Sequence, residues 1–257
     1  MSKLIDKLRR VSQGAPQPMG FRAGQPASDR PKILLIAALA GAKTGKLTDL
    51  VAGADGGLVP LSRLEEGAKA FNQLSQRVPD LAWGGWLKGI VPGEPVKSSD
   101  WDFIVFPAES TPLAAFQNAE VGKVLEVKAS SRESYLSAIG ELPVDAVFIT
   151  GEVEESPVIT YQHLAQFHSF AARLNKPLLV RVPLGITGPE IEALWAAGVD
   201  GLVVELGPRV GVGALGELRR VIDSLTYPAP RKRGRVQALL PKTSSEQTGT
   251  DLEPEEE

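Results

Sequence analysis

The chain has 257 residues, 43% of them hydrophobic, with 28 basic side chains against 31 acidic ones and no cysteine. That length is enough to bury one large core, and the lack of cysteine excludes disulfides, thiolate nucleophiles and thiolate metal sites. Charge is uneven: residues 1–31 carry +4, residues 32–227 carry −6 and residues 228–257 carry −1, so the acidic body lacks the basic face that nucleic acid requires.

No run approaches the ~20 consecutive apolar residues of a membrane-spanning helix, and the amino terminus lacks the apolar block and small-residue cleavage site of a secretory signal. A cytoplasmic protein is the expectation. Ser2 to Gln13 reads as an amphipathic helix, with Leu4, Ile5, Leu8 and Val11 on one face and Lys3, Lys7, Arg9 and Arg10 around the other. Such a helix serves a membrane surface or a partner, or else it packs across the amino-terminal mouth of a barrel. Four modest apolar anchors bind lipid weakly, which favours packing. Gly14 to Pro31, rich in Gly, Pro, Gln and Ala, reads as a linker in which Gly20, Phe21 and Arg22 offer a local docking point.

Eight short apolar runs follow: Lys32 to Leu39, Gly56 to Leu61, Ala82 to Leu87, Asp102 to Pro107, Gly122 to Lys128, Asp145 to Thr150, Pro177 to Pro183 and Asp200 to Leu206. Most are followed by a turn and an amphipathic stretch, at a spacing of roughly 20 to 30 residues, which is the pattern of an α/β protein closed into a (β/α)8 TIM barrel. The barrel is irregular in its first half. Lys88 to Asp100 contains Pro92, Gly93 and Pro95 and is too short and broken for a covering helix, and the helices near Lys46 to Gly53 and Thr111 to Asn118 are short. Trp83, Trp86 and Trp101 border that gap. Either they fill the space of the missing helix or they form an aromatic surface covered by another subunit or a tail. The domain division is therefore residues 1–31 as helix and linker, residues 32–227 as barrel, and residues 228–257 as a disordered tail. That tail is basic at Arg231, Lys232, Arg233 and Arg235, apolar around Leu239 and Leu240, and acidic from Asp251 to Glu257.

A barrel of this kind places its ligand at the carboxyl ends of the strands without fixing what the ligand is. Gly41 to Lys46 after the first strand looks like a phosphate-binding loop, but the first glycine position is Ala40 and the hydroxyl position is Leu47, so it reads as a basic loop. Gly211, Gly213 and Gly216 form a GxGxxG at the opening of the last helix. No strand follows to make it a dinucleotide fingerprint, leaving either an anion nest at a helix amino end or a tight turn.

The stretch from Val182 to Val204, with Gly185, Ile186 and Thr187 leading to a helix that ends Ala197, Gly198, Val199, Asp200, Gly201, resembles the strand-seven to strand-eight segment of phosphate-binding TIM barrels. The resemblance implies a phosphate held by loop amides, with Gly185, Thr187, Gly211 and Gly213 as its ligands. This sequence departs from that pattern at Glu205, which repels phosphate unless neutralised. Over most of its length the chain is also similar to uncharacterised bacterial TIM-barrel proteins, which implies no activity.

Charged residues stand at the carboxyl ends of six strands: Lys88, Glu109, Glu126 with Lys128, Glu152, Arg181 and Glu205. Alternation along a strand sends Glu126 and Lys128 to one face and Leu125 and Val127 to the other. One reading is an active site in which Lys128, Glu126, Glu109 and Glu205 do acid, base or amine chemistry while Lys88 and Arg181 bind an anion. The other is a self-neutralising network of three cations and three carboxylates. His163 and His168 fall in a helix from Tyr161 to Leu174 outside the barrel, so the site lacks a histidine proton shuttle. No ligand spacing singles out a metal, and no pattern names a cofactor. The expectation is a barrel that binds a small anionic metabolite, through a phosphate or a carboxylate, and forms a homo-oligomer. The alternative is a non-catalytic scaffold acting through its tails and its tryptophan-rich side.

Overall fold

The computed structural model describes residues 2–13, 32–40, 47–62, 64–88, 101–116, 120–151, 158–208 and 210–227. The linker at 14–31, the loop Gly41 to Lys46, residues 89–100, Glu152 and the tail from residue 228 onward lie outside the described residues.

Eight strands, β1 (Leu34–Leu39), β2 (Gly56–Leu61), β3 (Ala82–Leu87), β4 (Phe103–Pro107), β5 (Gly122–Lys128), β6 (Ala146–Thr150), β7 (Leu178–Val182) and β8 (Gly201–Leu206), form one closed parallel barrel in sequence order. The eight apolar runs locate them because a strand walled by a lumen on one face and helices on the other is apolar at almost every position. Leu34, Ile36 and Ala38 of β1 join Leu58, Phe103, Val105, Val124, Phe148, Leu179 and Val203 inside the lumen. Leu35, Ala37 and Leu39 join the outer layer. That layer is built on α2 (Leu47–Leu50), α3 (Leu64–Arg77), α4 (Glu133–Gly140), α5 (Tyr161–Arg173), α6 (Gly188–Ala196) and α7 (Ala214–Ser224), with a 3-10 turn at Leu113–Phe116 after β4. Cover is thin after β1 and β4, where the elements are four residues each.

The first helix, α1 (Lys3–Gln13), sits in the amino-terminal mouth, with Leu4, Ile5 and Leu8 buried as part of the lumen cluster. Its apolar face is enclosed by the barrel, which leaves a membrane surface little to bind. Gly122 makes room for it: a Cβ there would lie 2.7 Å from Cγ1 of Ile5.

Four aspartates organise this end. Asp55, Asp102, Asp145 and Asp200 stand immediately before β2, β4, β6 and β8. Each donates its amide to a carbonyl next door, that of Leu35, Trp83, Lys123 and Leu178 respectively, at 2.7 to 2.9 Å. The carboxylates of Asp55, Asp145 and Asp200 also accept the amides of Leu35, Lys123 and Leu178, at 3.0, 3.0 and 2.7 Å. Asp102 instead accepts the Ser2 hydroxyl and the amides of Lys3 and Leu4, at 2.8, 2.7 and 3.0 Å, capping α1. Lys7 lies against Asp55 and Arg9 against Asp145, so three of the four aspartates hold the helix.

The tryptophans do not form an open aromatic side. Trp83, Trp86 and Trp101 are 2%, 2% and 7% exposed. Trp83 donates its indole N–H to the Val78 carbonyl at 3.1 Å, and Trp101 meets Phe71 edge to face. Trp86 points into the lumen, because alternation along β3 puts Ala82, Gly84 and Trp86 on that face. Of the two readings of the tryptophans, the open aromatic surface is not what the structure has: the three rings are buried within the fold.

Candidate functional site at the carboxyl ends of the strands

Glu126 lies on the lumen face of β5. Its Oε2 accepts the Trp86 indole N–H at 2.7 Å and its Oε1 accepts the Thr150 hydroxyl at 3.0 Å. Lys88 sets its ammonium 3.7 Å from the centroid of the Trp86 ring, and the same ring meets Phe148 edge to face at 5.4 Å. A row Lys88, Trp86, Glu126, Thr150 thus crosses from β3 to β6, with the indole between cation and carboxylate. Trp86 and Thr150 were not among the residues expected at the site. Their signal was the same alternation that placed Glu126, applied to β3 and to the end of β6.

The remaining charges pair directly. The Lys128 ammonium meets Glu109 at 2.8 Å, with both side chains mostly exposed, and the bond to Glu109 holds the lysine above its ordinary pKa. A nucleophilic lysine needs the opposite shift. Arg181 and Glu205 form an ion pair across β7 and β8. Glu205 is thereby balanced, which removes the electrostatic objection to an anion at this end. Of the three cations and three carboxylates read as a self-neutralising network, four pair directly, while Lys88 and Glu126 meet through the indole.

The loops after β7 and β8 differ in how open they are. Thr187 begins α6 and donates both its amide and its hydroxyl to Glu190, at 2.8 and 2.7 Å. The Thr187 amide is the main reason Glu190 titrates below the usual carboxylate range. A ligand at Thr187 must displace that carboxylate. Gly185 faces open space. Gly213 is the N-cap of α7 in the left-handed region, with φ of +91°, and accepts the Glu217 amide at 3.0 Å. Added side chains at Gly211 and Gly213 would meet nothing within 4 Å, and among the described residues the amides of Gly211, Val212 and Gly213 have no acceptor. Open amides at a helix amino end favour an anion.

His163 is buried in the cap of α5, where its Nδ1 accepts the Thr160 amide at 3.1 Å. Among the described residues no group of three or more His, Asp or Glu is placed to hold a metal, and no helix is long and apolar enough to cross a membrane.

No protein-family model matches the sequence, and a search of curated proteins finds no match. Solved structures do match in fold. Thiamine phosphate pyrophosphorylase from Pyrococcus furiosus is 14% identical with a TM-score of 0.54, over 75% of this chain and 96% of that one. A mutant tryptophan synthase α-subunit from the same organism is 12% identical with a TM-score of 0.55, over 74% and 96%. The (S)-3-O-geranylgeranylglyceryl phosphate synthase of Thermoplasma acidophilum, in complex with its substrate sn-glycerol-1-phosphate, is 17% identical with a TM-score of 0.55, over 87% and 98%. At these identities the likeness is one of architecture: the chain is a (β/α)8 TIM barrel similar in fold to enzymes two of which are named for phosphorylated compounds.

Proposed function

We propose that this barrel binds a small phosphorylated metabolite at its carboxyl-end face, with the phosphate on the turn from Gly211 to Gly213. The observation that carries the reading is that turn: open amides and a left-handed glycine at the head of an 11-residue helix. Two further points support it. The Arg181–Glu205 pair removes the repulsion that an isolated Glu205 would exert. The fold neighbours include a synthase bound to a glycerol phosphate. Gly185 and Arg181 flank the phosphate in this reading, and Lys88, over the Trp86 ring, is a cation for the rest of the ligand. Glu126, Lys128, Glu109 and Glu205 are the candidates for any chemistry.

A non-catalytic barrel, assembled as a homo-oligomeric scaffold, is the second reading. It is favoured by the pairing of Lys128 with Glu109 and of Arg181 with Glu205, which occupies four of the charged groups a reaction would use. Calorimetric titration with inorganic phosphate and glycerol phosphate separates the two. The ligand reading expects saturable binding that is weakened at least about tenfold by Gly213→Asp, which sets a carboxylate among the amides. Absence of binding by either phosphate supports the scaffold instead.

A further inference from the structure

We infer that Glu126 reads the part of the ligand that is not phosphate, and that this part is a polyol. The inference rests on the phosphate reading above and adds the class of compound.

Of the carboxylates at this face among the described residues, Glu109 and Glu205 each have a cation and Glu190 accepts the amide and hydroxyl of Thr187. Glu126 makes no direct ion pair among the described residues; its hydrogen-bond partners are the neutral indole N–H of Trp86 and the neutral hydroxyl of Thr150. One bond to each oxygen fixes the plane of the carboxylate. Each oxygen keeps acceptor capacity, because an ionised carboxylate offers about four lone-pair sites. A half-buried carboxylate with capacity to spare is stabilised by further donors. Below it the lumen is closed by fully buried apolar side chains, Val124 and Phe148 among them, so those donors come from the carboxyl-end side.

The kind of donor follows from the neighbours. Lys88 sits over the ring that bonds Glu126, and Lys128 lies two residues further along the same face of β5. A cationic ligand group at Glu126 would add a third positive charge to Lys88, which meets no carboxylate among the described residues, and Lys128, which already holds Glu109, whereas neutral hydroxyls add none. The Thr150 oxygen, whose proton is directed at Glu126, is an acceptor for a second hydroxyl. Because β5 and β8 lie apart in the closed barrel, a compound that seats phosphate at Gly213 and hydroxyls at Glu126 extends across the mouth.

The test compares ribitol phosphate with pentyl phosphate, equal in chain length and different in hydroxyls, by titration calorimetry. The wild-type protein is expected to bind ribitol phosphate about tenfold more tightly, since a site built to bond hydroxyls rejects the analogue lacking them. Glu126→Gln keeps the shape and an acceptor for the Trp86 indole, but it turns the other oxygen into an amide donor that reverses the Thr150 bond; with the charge lost, the ratio falls to about threefold, since charged acceptors bond about twice as strongly as neutral ones. Equal affinities in the wild type, or a ratio unchanged in Glu126→Gln, overturn the inference; in that case parallel weakening of both compounds by Gly213→Asp leaves the phosphate reading standing. If neither compound binds, or Gly213→Asp changes neither affinity, the phosphate reading falls and this inference falls with it.

Discussion

The hydroxyl of Ser2 lies 2.8 Å from the carboxylate of Asp102, so the residue at the entrance of the fourth strand caps a helix that precedes the first. The same carboxylate accepts the amides of Lys3 and Leu4. Asp102→Ala removes all three bonds and is expected to cost about 1 to 3 kcal/mol, the range for losing a helix cap and bonds to a charged acceptor. Urea unfolding measures the cost. Hydrogen exchange locates it, with the amides of Leu4 to Leu8 losing protection first; an unchanged midpoint would show that the cap contributes nothing.

Gly122 is the tightest point beneath the same helix. A methyl group there would lie 2.7 Å from Cγ1 of Ile5 and 2.8 Å from Oγ of Ser2. Gly122→Ala is expected to destabilise by roughly 1 to 3 kcal/mol, as overpacking does. Adding Ile5→Ala should restore part of the loss, a non-additivity that a double-mutant cycle reads. Gly185→Ala, where the new methyl meets nothing within 4 Å, serves as the control and should stay within about 0.5 kcal/mol.

Tyr227 gives the fold an alkaline limit. Its ring packs on Trp195 with centroids 5.2 Å apart, and its hydroxyl donates to the Ile222 carbonyl at 3.3 Å. Burial pushes the phenol from 10.0 up to about 12. In the window between these values the unfolded chain ionises while the folded chain stays neutral. The stabilisation is therefore complete below the unfolded value and is lost as pH rises through the folded one. Unfolding free energies measured across that window should fall more steeply for the wild type than for Tyr227→Phe. Parallel slopes would assign the decline to other groups.

Arg181 and Glu205 form a half-buried pair, and deleting Arg181 strands the charge of Glu205. Arg181→Met is expected to lower stability more than the double variant Arg181→Met with Glu205→Gln, with a coupling on the order of 1 to 2 kcal/mol. Thermal unfolding of the four proteins in the cycle supplies the comparison, and strict additivity would remove the pair as a structural element.

The sequence is most readable where burial dictates residue type. Leu178 to Val182 is apolar except at Arg181, and the same alternation that makes it a strand aims Arg181 at the lumen, beside Glu205. Glu126 is legible for the same reason. Partners across strands are not, because register joins residues far apart in sequence: Trp86 and Glu126 are 40 positions apart. Trp86 was misjudged through attention to the missing helix beside it instead of its place in Ala82, Gly84, Trp86. The aspartates before alternate strands were written in the sequence too, at 55, 102, 145 and 200. Their role needs the neighbouring backbone to be seen. Thr187 shows the limit of local motifs, since a turn that resembles a phosphate loop here donates to Glu190.

With α1 stopping the mouth at one end, the barrel is a cup and not a tube. Under the ligand reading, a solute seated near Glu126 arrives and departs at the carboxyl-end side, since among the described residues the lumen beneath it is filled by buried apolar side chains and the far end by α1.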